Sequence, residues 1–297
     1  MELRVLQYFL AVAREQSISA AAESLHLSQP TLSTQLKAME EELGKQLLIR
    51  GTKGSRKVVL TDEGMILRKR AEEILSLVKR TEDEITRSDE TIVGDVYIGT
   101  GETEIVRFFA EAAKRIQKKY PDIHYQISSG NAEHVLEYLD KGLIDFGLLF
   151  GSADSQKYES ILIPVRDTWG VLMRKDSPLA EKGTVCPEDL WDKPLIVSHQ
   201  RGDNPYLSQW MKRDLSQLNV VATYNLVFNA SLLVDEGLGY ALCLDKLINT
   251  QGSSLCFRPF TPKLEAPACL VWKKYQVFSK AAETYLQQLQ KLFESME

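Results

Sequence analysis

The sequence lacks the features that would point to a metal protein, a disulfide-stabilised secreted protein or a membrane protein. Its four cysteines and four histidines are widely scattered and stand at no metal-ligand spacing, so we expect no bound metal. Nothing indicates an activated thiol, and we expect the cysteines to be buried and reduced. No apolar run approaches the roughly 18 residues that a membrane-spanning helix requires. The sequence therefore predicts a soluble protein without membrane contact.

Targeting and cofactor motifs are also missing. The opening MELRVLQYFLAVAREQ is interrupted by charges and has no small-residue cleavage site, so we expect no signal peptide and a cytoplasmic location. GTGETE at 99–104 lacks the third glycine of a dinucleotide fingerprint, and GTKGSRK at 51–57 lacks the spacing of a phosphate-binding loop. No nucleophile, base and orienting group stand out together. We therefore expect no cofactor and no enzymatic activity.

Charge is distributed unevenly along the 297 residues, a length that predicts two or three folding units. The net charge of −5 gives the whole protein no attraction to a polyanion. The first 60 residues, however, carry eight Lys or Arg against six Asp or Glu, and RGTKGSRK at 50–57 has four basic residues and no acid. Local basic patches of this kind contact phosphates.

Residues 28–44 predict a helix with a polar, largely uncharged face. Ser28 is suited to cap it, Pro30 fits the first turn because amides there have no intrahelical acceptor, and Gly44 is suited to end it. An apolar stripe follows at helical spacing and is expected to face the core: Leu32, Leu36, Met39 and Leu43. The remaining face carries mainly Ser, Thr and Gln.

Two shorter helices are predicted before this one, over 3–14 and 19–25, with Leu6, Phe9, Leu10 and Ala13 of the first helix inward. Three short helices, the third capped and polar, indicate a helix-turn-helix whose third helix enters the major groove. Hydroxyl and amide side chains both donate and accept hydrogen bonds, as base edges require. Residues 45–61 then predict two short strands around the basic turn, which is the wing of a winged helix. The alternative is a solvated loop beside a helical bundle.

The chain resembles the LysR-type transcriptional regulator family. The resemblance rests on AVAREQSISAAAESLHLSQPTLSTQLKAMEEELGKQLLIR and on VVLTDEG at 58–64, and it extends more loosely over the whole chain. The sequence departs from the family at Thr34, where the family often has Arg, and at Leu48, where Phe is common. The residues expected to contact DNA are Ser28, Gln29, Pro30, Thr31, Ser33, Thr34, Lys37, Arg50, Lys53 and Arg56.

Residues 62–89 predict one long helix. Apolar and small residues recur along it at alternating four- and three-residue steps, as in a coiled-coil seam: Leu67, Ala71, Ile74, Val78, Thr81 and Ile85. The simplest cover for this seam is a partner chain, and packing against the helix's own domain is the alternative. The resemblance implies a dimer through antiparallel linker helices, so that two winged helices meet the half-sites of an imperfectly palindromic operator.

From residue 91 onward, strand-like runs alternate with amphipathic helices, which predicts an α/β unit with parallel strands. Two such series occur, with two crossings near 163–166 and 261–266. The family's effector domain has this arrangement, similar to periplasmic solute-binding proteins. Ligands in such sheets bind at the carboxyl ends of strands. The candidate effector contacts are Thr100, Glu102, Thr103, Ser129, Ser198, His199 and Arg201.

Within that set, the resemblance places Thr100, Thr103 and Ser129 at the cleft. Arg201 is suited to anchor a carboxylate, and Glu102 either holds an amine or faces solvent.

The sequence therefore predicts an α/β protein with an α-rich winged helix-turn-helix domain (1–60), a linker helix (61–90) and a two-subdomain effector domain (91–297). Subdomain I takes 91–163 and 266–297, and subdomain II takes 164–265. The expected partners are double-stranded operator DNA, an unidentified small effector, a second copy or a tetramer of the chain, and RNA polymerase if the protein is an activator. The main rival is a solute-binding or enzymatic α/β protein whose N-terminal helices serve only for interaction.

Overall fold

A computed structural model describes residues 1–51, 57–86, 92–199 and 205–296. The chain divides into two compact units, Met1–Ser88 and Asp89–Glu297. No helix in these described ranges combines the length and the apolarity that crossing a membrane demands.

The N-terminal unit is a small helical domain with a two-stranded ribbon. Its elements are α1 (Leu3–Glu15), α2 (Ile18–Ser24), α3 (Gln29–Leu43), β1 (Leu48–Arg50), β2 (Val58–Leu60) and α4 (Asp62–Thr86). Strands β1 and β2 pair antiparallel. The core is built around the buried side chains of Leu6 and Phe9 on α1, together with those of α3 and the ribbon. The predicted helix-turn-helix and wing strands are confirmed.

Helix α3 is capped as the sequence predicts. The Ser28 hydroxyl accepts a hydrogen bond from the Thr31 amide at 3.2 Å, and Gly44 ends the helix in the left-handed region with φ 63°. Leu32, Leu36 and Met39 are buried. The fourth residue of the predicted stripe, Leu43, is 42% exposed, because the chain turns away at the C-terminal end of the helix.

The start of α4 fits tightly against the wing. The Thr61 hydroxyl accepts from the Gly64 amide and donates to the Gln46 carbonyl. A Cβ at Gly64 would lie 2.2 Å from the Leu47 carbonyl oxygen. Only glycine allows the helix and the strand to approach this closely.

The two halves of the predicted seam on helix α4 lie in different environments. Ala71 is fully buried in the domain core, and Leu67 and Ile74 pack against that core. This first half of the seam is therefore covered by the helix's own domain, which corrects the expectation that a partner chain covers all of it. Further along, Val78 is half-buried and Ile85 is 77% exposed.

The C-terminal unit is α/β. Its elements are β3 (Gly94–Thr100), α5 (Val106–Gln117), β4 (Ile123–Ser129), α6 (Ala132–Asp140), β5 (Phe146–Phe150), β6 (Tyr158–Arg174), β7 (Leu195–Ser198), α7 (Pro205–Met211), β8 (Val220–Tyr224), α8 (Val227–Asp235), β9 (Tyr240–Leu244), β10 (Leu255–Pro259), β11 (Glu265–Lys273) and α9 (Lys280–Glu294). The strand order is β4-β3-β5-β11-β6-β9-β7-β8, and β10 pairs with β6. Strands β3, β4 and β5 are parallel, as are β7, β8 and β9.

The buried apolar residues of this unit form two sets. The first, named core I here, draws on residues 96–163 and 268–293, and the second, core II, draws on 171–260. Strands β6 and β11 pair antiparallel between the two cores. The expected crossing near 163–166 lies inside β6, a single strand that runs from Tyr158 to Arg174.

Candidate DNA interface and effector cleft

Most of the predicted DNA-contacting side chains of α3 lie on its exposed surface. Those exposed to solvent are Ser28, Gln29, Pro30, Thr31, Thr34 and Lys37, and Ser33 is half-buried. The helix brings them together because Gln29, Ser33 and Lys37 are one turn apart, with Pro30 and Thr34 beside them. The opposite face is anchored by Leu32 and Leu36, which fixes the direction of the polar face.

Three of these hydroxyls are already hydrogen-bonded within the helix. Ser28 Oγ and Thr31 Oγ1 lie 2.7 Å apart, and Thr34 Oγ1 donates to the Pro30 carbonyl at 2.9 Å. Each oxygen keeps acceptor capacity, so the bonds orient the hydroxyls without using them up. The Thr34 side chain therefore bonds within its own helix, whereas the longer Arg side chain that is common in the family would extend further from it.

The N-terminal end of α3 favours an anion electrostatically. Its first-turn amides and the helix dipole carry partial positive charge, and the first turn contains no acidic residue. Lys37 adds a full positive charge on the same exposed face. The arrangement suits a helix end that approaches phosphates.

Glu40 joins the far end of α3 to the wing. Its Oε1 accepts hydrogen bonds from the amides of Leu47 and Leu48 at 2.8 and 3.0 Å, and its Oε2 accepts from Arg50 Nη2 at 3.0 Å. The Glu40 side chain is 14% exposed. Arg50 therefore has an internal partner, while its DNA contact stays a prediction. Lys53 and Arg56 lie outside the described residues.

In the C-terminal unit, two candidate residues meet at neighbouring strand ends. Thr100 ends β3 and Ser129 ends β4, where the two residues are paired in register. Ser129 is exposed, whereas Thr100 is buried and its hydroxyl donates to the Gly101 carbonyl. Of the two hydroxyls, that of Ser129 is the more accessible to a ligand.

Thr103 is used by the protein itself. Its hydroxyl donates to Asp167 Oδ2 on β6 and accepts from the Ile105 amide at 3.0 Å. Both Thr103 and Asp167 are 7% exposed. Burial raises the pKa of Asp167 above its ordinary value, and the hydrogen bond from Thr103 only partly opposes this shift.

Glu102 reaches across to the other core. Its Oε2 accepts a hydrogen bond from the Val227 amide, the first residue of α8, at 2.5 Å. Glu102 is half-buried, so it does not simply face solvent. The sequence does not identify Val227 as the partner, because the two residues are 125 positions apart. A local signal was present nonetheless, since Leu226, which precedes α8, has no side chain that can cap it.

The remaining candidates follow β7. Ser198 ends this strand opposite Tyr224 of β8 and is half-buried, and His199 is exposed. Arg201 lies outside the described residues. The carboxyl ends of parallel strands thus carry polar groups in both cores, and the contact between Glu102 and Val227 joins the loops that follow them.

Asp167→Asn is expected to stabilise the protein at neutral pH. Because the pKa of Asp167 is raised in the folded chain, ionisation opposes folding above that pKa, and the penalty disappears as the pH falls below the unfolded value. Asn is neutral and its Oδ1 can still accept from Thr103. The advantage of the variant in urea unfolding should therefore be largest at pH 7 and shrink towards pH 4.

The exposed Asp122→Asn controls for the loss of one negative charge. An advantage of Asp167→Asn that stayed constant or grew on acidification would contradict the proposed burial penalty.

The fold and the two sites together define a class of protein. A winged helix-turn-helix with an exposed polar recognition helix is a DNA-binding domain, and the two-core α/β module has the form of a small-ligand receptor. Residues 3–65 match the model of the bacterial regulatory helix-turn-helix protein, lysR family, and residues 90–294 match the LysR substrate binding domain. The chain belongs to the LysR family of DNA-binding transcriptional regulators.

Similar proteins match all or part of the chain. The HTH-type transcriptional regulator YvbU of Bacillus subtilis (strain 168) is 24% identical over 295 residues, which cover 99% of each chain. The hydrogen peroxide-inducible genes activator of Pectobacterium carotovorum subsp. carotovorum is 30% identical over 66% of this chain and 64% of its own. The crystal structure of full-length CbnR with its target DNA matches with a TM-score of 0.77 at 21% identity, covering 98% and 99%. This last likeness concerns the fold.

Proposed function

We propose that the protein reads its operator with the first turns of α3 and holds the backbone with Lys37 and the basic wing. The observation that carries this proposal is the capped, exposed, acid-free N-terminal end of α3. Residues 1–60 form the DNA-binding part in this proposal, and Gln29 is its principal base-reading residue. CbnR, in complex with its target DNA, has the same fold, which supports DNA as the partner.

The effector is proposed to bind in the C-terminal unit, within residues 91–297. The exposed Ser129 and His199 and the half-buried Ser198 lie at strand ends, where open α/β sheets bind ligands. Thr100 and Thr103 are buried and hydrogen-bonded, and their proposed role is to shape the cleft. The protein acts as a receptor without enzymatic chemistry, in the cytoplasm.

The second half of the α4 seam is proposed as the contact that pairs two chains. Val78 and Ile85 are one heptad apart, and Ile85 is 77% exposed. A pair of α4 helices would cover these residues and set two α3 helices at the spacing of two half-sites. The regulated complex is then a dimer or a tetramer on an operator with imperfect dyad symmetry.

The thiols do not support a peroxide sensor of the kind that one relative's name suggests. The four cysteines are free, and Cys243, Cys256 and Cys269 are buried. Burial raises the pKa of Cys243 to about 12 and also raises the pKa of Cys186 and Cys269. A reactive thiol needs the opposite shift, so these three thiols lend no support to peroxide as the signal.

Gln29→Ala and Lys37→Ala are expected to weaken DNA binding in different ways. Loss of a base contact by Gln29 should lower operator affinity by about 1–3 kcal/mol and leave random DNA nearly unaffected. Loss of a phosphate contact by Lys37 should weaken both DNAs and reduce the log–log salt slope by about 0.9. Fluorescence anisotropy on the DNA upstream of the protein's own gene and on a scrambled duplex, at several salt concentrations, measures both effects.

Glu23→Ala on α2 serves as a control, since this exposed residue lies outside the proposed contact. Equal losses on both duplexes for Gln29→Ala would refute the base-reading role. If the wild-type protein retarded neither duplex at any concentration, the rival solute-binding function would be favoured instead.

A further inference from the structure

Glu102 makes a contact between the two cores of the C-terminal unit. It lies between β3 and α5, which belong to core I. Its carboxylate accepts a hydrogen bond from the Val227 amide at the start of α8, whose buried face belongs to core II. The contact is half-buried. The carboxylate therefore interacts with the partial positive charge of the α8 N-terminus as well as with one amide.

Helix α8 depends on this contact because it has no cap of its own. Its N-cap is Leu226, which makes no side-chain cap hydrogen bond. By contrast, α6 is capped by Asn131, which accepts from the His134 amide, and α9 by Ser279, which accepts from the Ala282 amide. In α8 the missing local acceptor is replaced by a residue from the other core.

The contact between Thr103 and Asp167 lies elsewhere relative to the two cores than the contact between Glu102 and Val227. Thr103 donates to Asp167, which lies on β6 between Ile163 of core I and Val171 of core II. A rotation of one core against the other would take place about this crossing strand, where displacements are smallest. Thr103 can keep its partner during such a rotation, whereas Glu102 and Val227 must separate.

The charge of Glu102 also reaches into core II. Burial, followed by the charges of Cys243 and Glu102, raises the pKa of Tyr224 well above its ordinary value. Tyr224 lies at the end of β8, and its hydroxyl donates to the Leu242 carbonyl.

We propose that Glu102 is a built-in latch, which holds core I to the first turn of α8 and thereby sets the relative position of the two cores. The latch rests on the proposed effector function in one respect. An effector that acts by moving the cores must release this contact. A ligand carboxylate directed at the same amide would compete with Glu102, since both satisfy the same donor.

The test measures the distance between the cores in the full-length protein. Spin labels are attached at Gln287→Cys on α9 and Glu181→Cys after β6, both exposed positions, in a Cys186→Ser background. Labelled chains are diluted with unlabelled chains so that only distances within one chain are read. Amide exchange at Val227 is followed in parallel by mass spectrometry.

Glu102→Ala should lengthen or broaden the distance distribution and speed Val227 exchange by about five- to tenfold, which is the size of a lost helix cap. Glu102→Gln, which keeps one acceptor oxygen, should lie between Glu102→Ala and the wild type. Acetate, against chloride at equal ionic strength, should restore Val227 protection in Glu102→Ala. Glu104→Ala removes the same charge two positions away and should change neither measurement.

An unchanged distance distribution in Glu102→Ala would overturn the latch, even with faster Val227 exchange, because the contact would then be a helix cap only. If Glu102→Ala is poorly folded, Glu102→Gln decides by the same comparison. Neither measurement involves DNA or an effector. A failure of the proposed DNA-binding function would therefore leave this result intact.

Discussion

Val78→Glu combined with Ile85→Glu is expected to abolish pairing of the chains through α4 and to lower operator affinity by at least about 100-fold. Four carboxylates would face one another across a paired helix contact, and like charges placed in an apolar interface cost several kcal/mol. A protein that has lost its partner also holds one half-site instead of two. A hundredfold loss corresponds to about 2.7 kcal/mol, which is well within the contribution of a second half-site.

Analytical ultracentrifugation and operator titrations measure the two consequences. Ser76→Glu is the matched control, because it adds a charge to an exposed position on the opposite side of the same helix. An unchanged sedimentation profile with undiminished operator affinity would mean that Val78 and Ile85 do not form the interface.

The choice of Val78 and Ile85 depends on the structure. The heptad spacing identified a continuous seam, but spacing alone does not say what covers it. In the structure Ala71 belongs to the helix's own domain core, and Ile74 packs against that core. A Glu at Ile74 would therefore destabilise the domain itself as well as any pairing, whereas Val78 and Ile85 lie where the seam is more exposed.

Local features were predictable from the sequence because their physical cause is local. The cap at Ser28, the stop at Gly44 and the apolar stripe of α3 each depend on residues within one or two turns. The wing strands were also predicted, since a glycine-containing turn separates two short apolar runs. Leu43 is the exception within the stripe, since it is exposed. A stripe position at the end of a helix is buried only when another element covers it.

Features that depend on distant residues were missed. The first half of β6 has no alternating pattern, because its exposure is set by β11, about a hundred residues later in the chain. Glu102 was recognised as a candidate cleft residue, but its partner at Val227 follows only from the packing of the two cores. The bond from Thr103 to Asp167 likewise joins residues 64 positions apart and could not be read from the sequence.

Glu40 also has partners that the sequence does not indicate, and Glu40→Ala is expected to destabilise the N-terminal unit by about 3 kcal/mol. The substitution leaves the amides of Leu47 and Leu48 and the guanidinium of Arg50 without their acceptor. A buried donor left unsatisfied costs about 1–3 kcal/mol, and breaking a buried ion pair about 3–5 kcal/mol. The expected loss lies below the sum of these costs because Arg50 is 31% exposed and is partly rehydrated.

For a unit of this size, 3 kcal/mol lowers the melting temperature by more than about 10 °C. Calorimetry on the 1–88 fragment, at matched concentrations, measures the shift. Glu41→Ala removes the same charge from the next, exposed position of α3 and should change the melting temperature little. Glu40→Gln keeps one oxygen for the two backbone amides but presents an amide group towards Arg50. Its melting temperature should therefore lie between those of Glu40→Ala and Glu41→Ala. If Glu40→Ala melted within a degree or two of Glu41→Ala, the wing would be held by the apolar contacts of Leu47 and Leu48 rather than by this carboxylate.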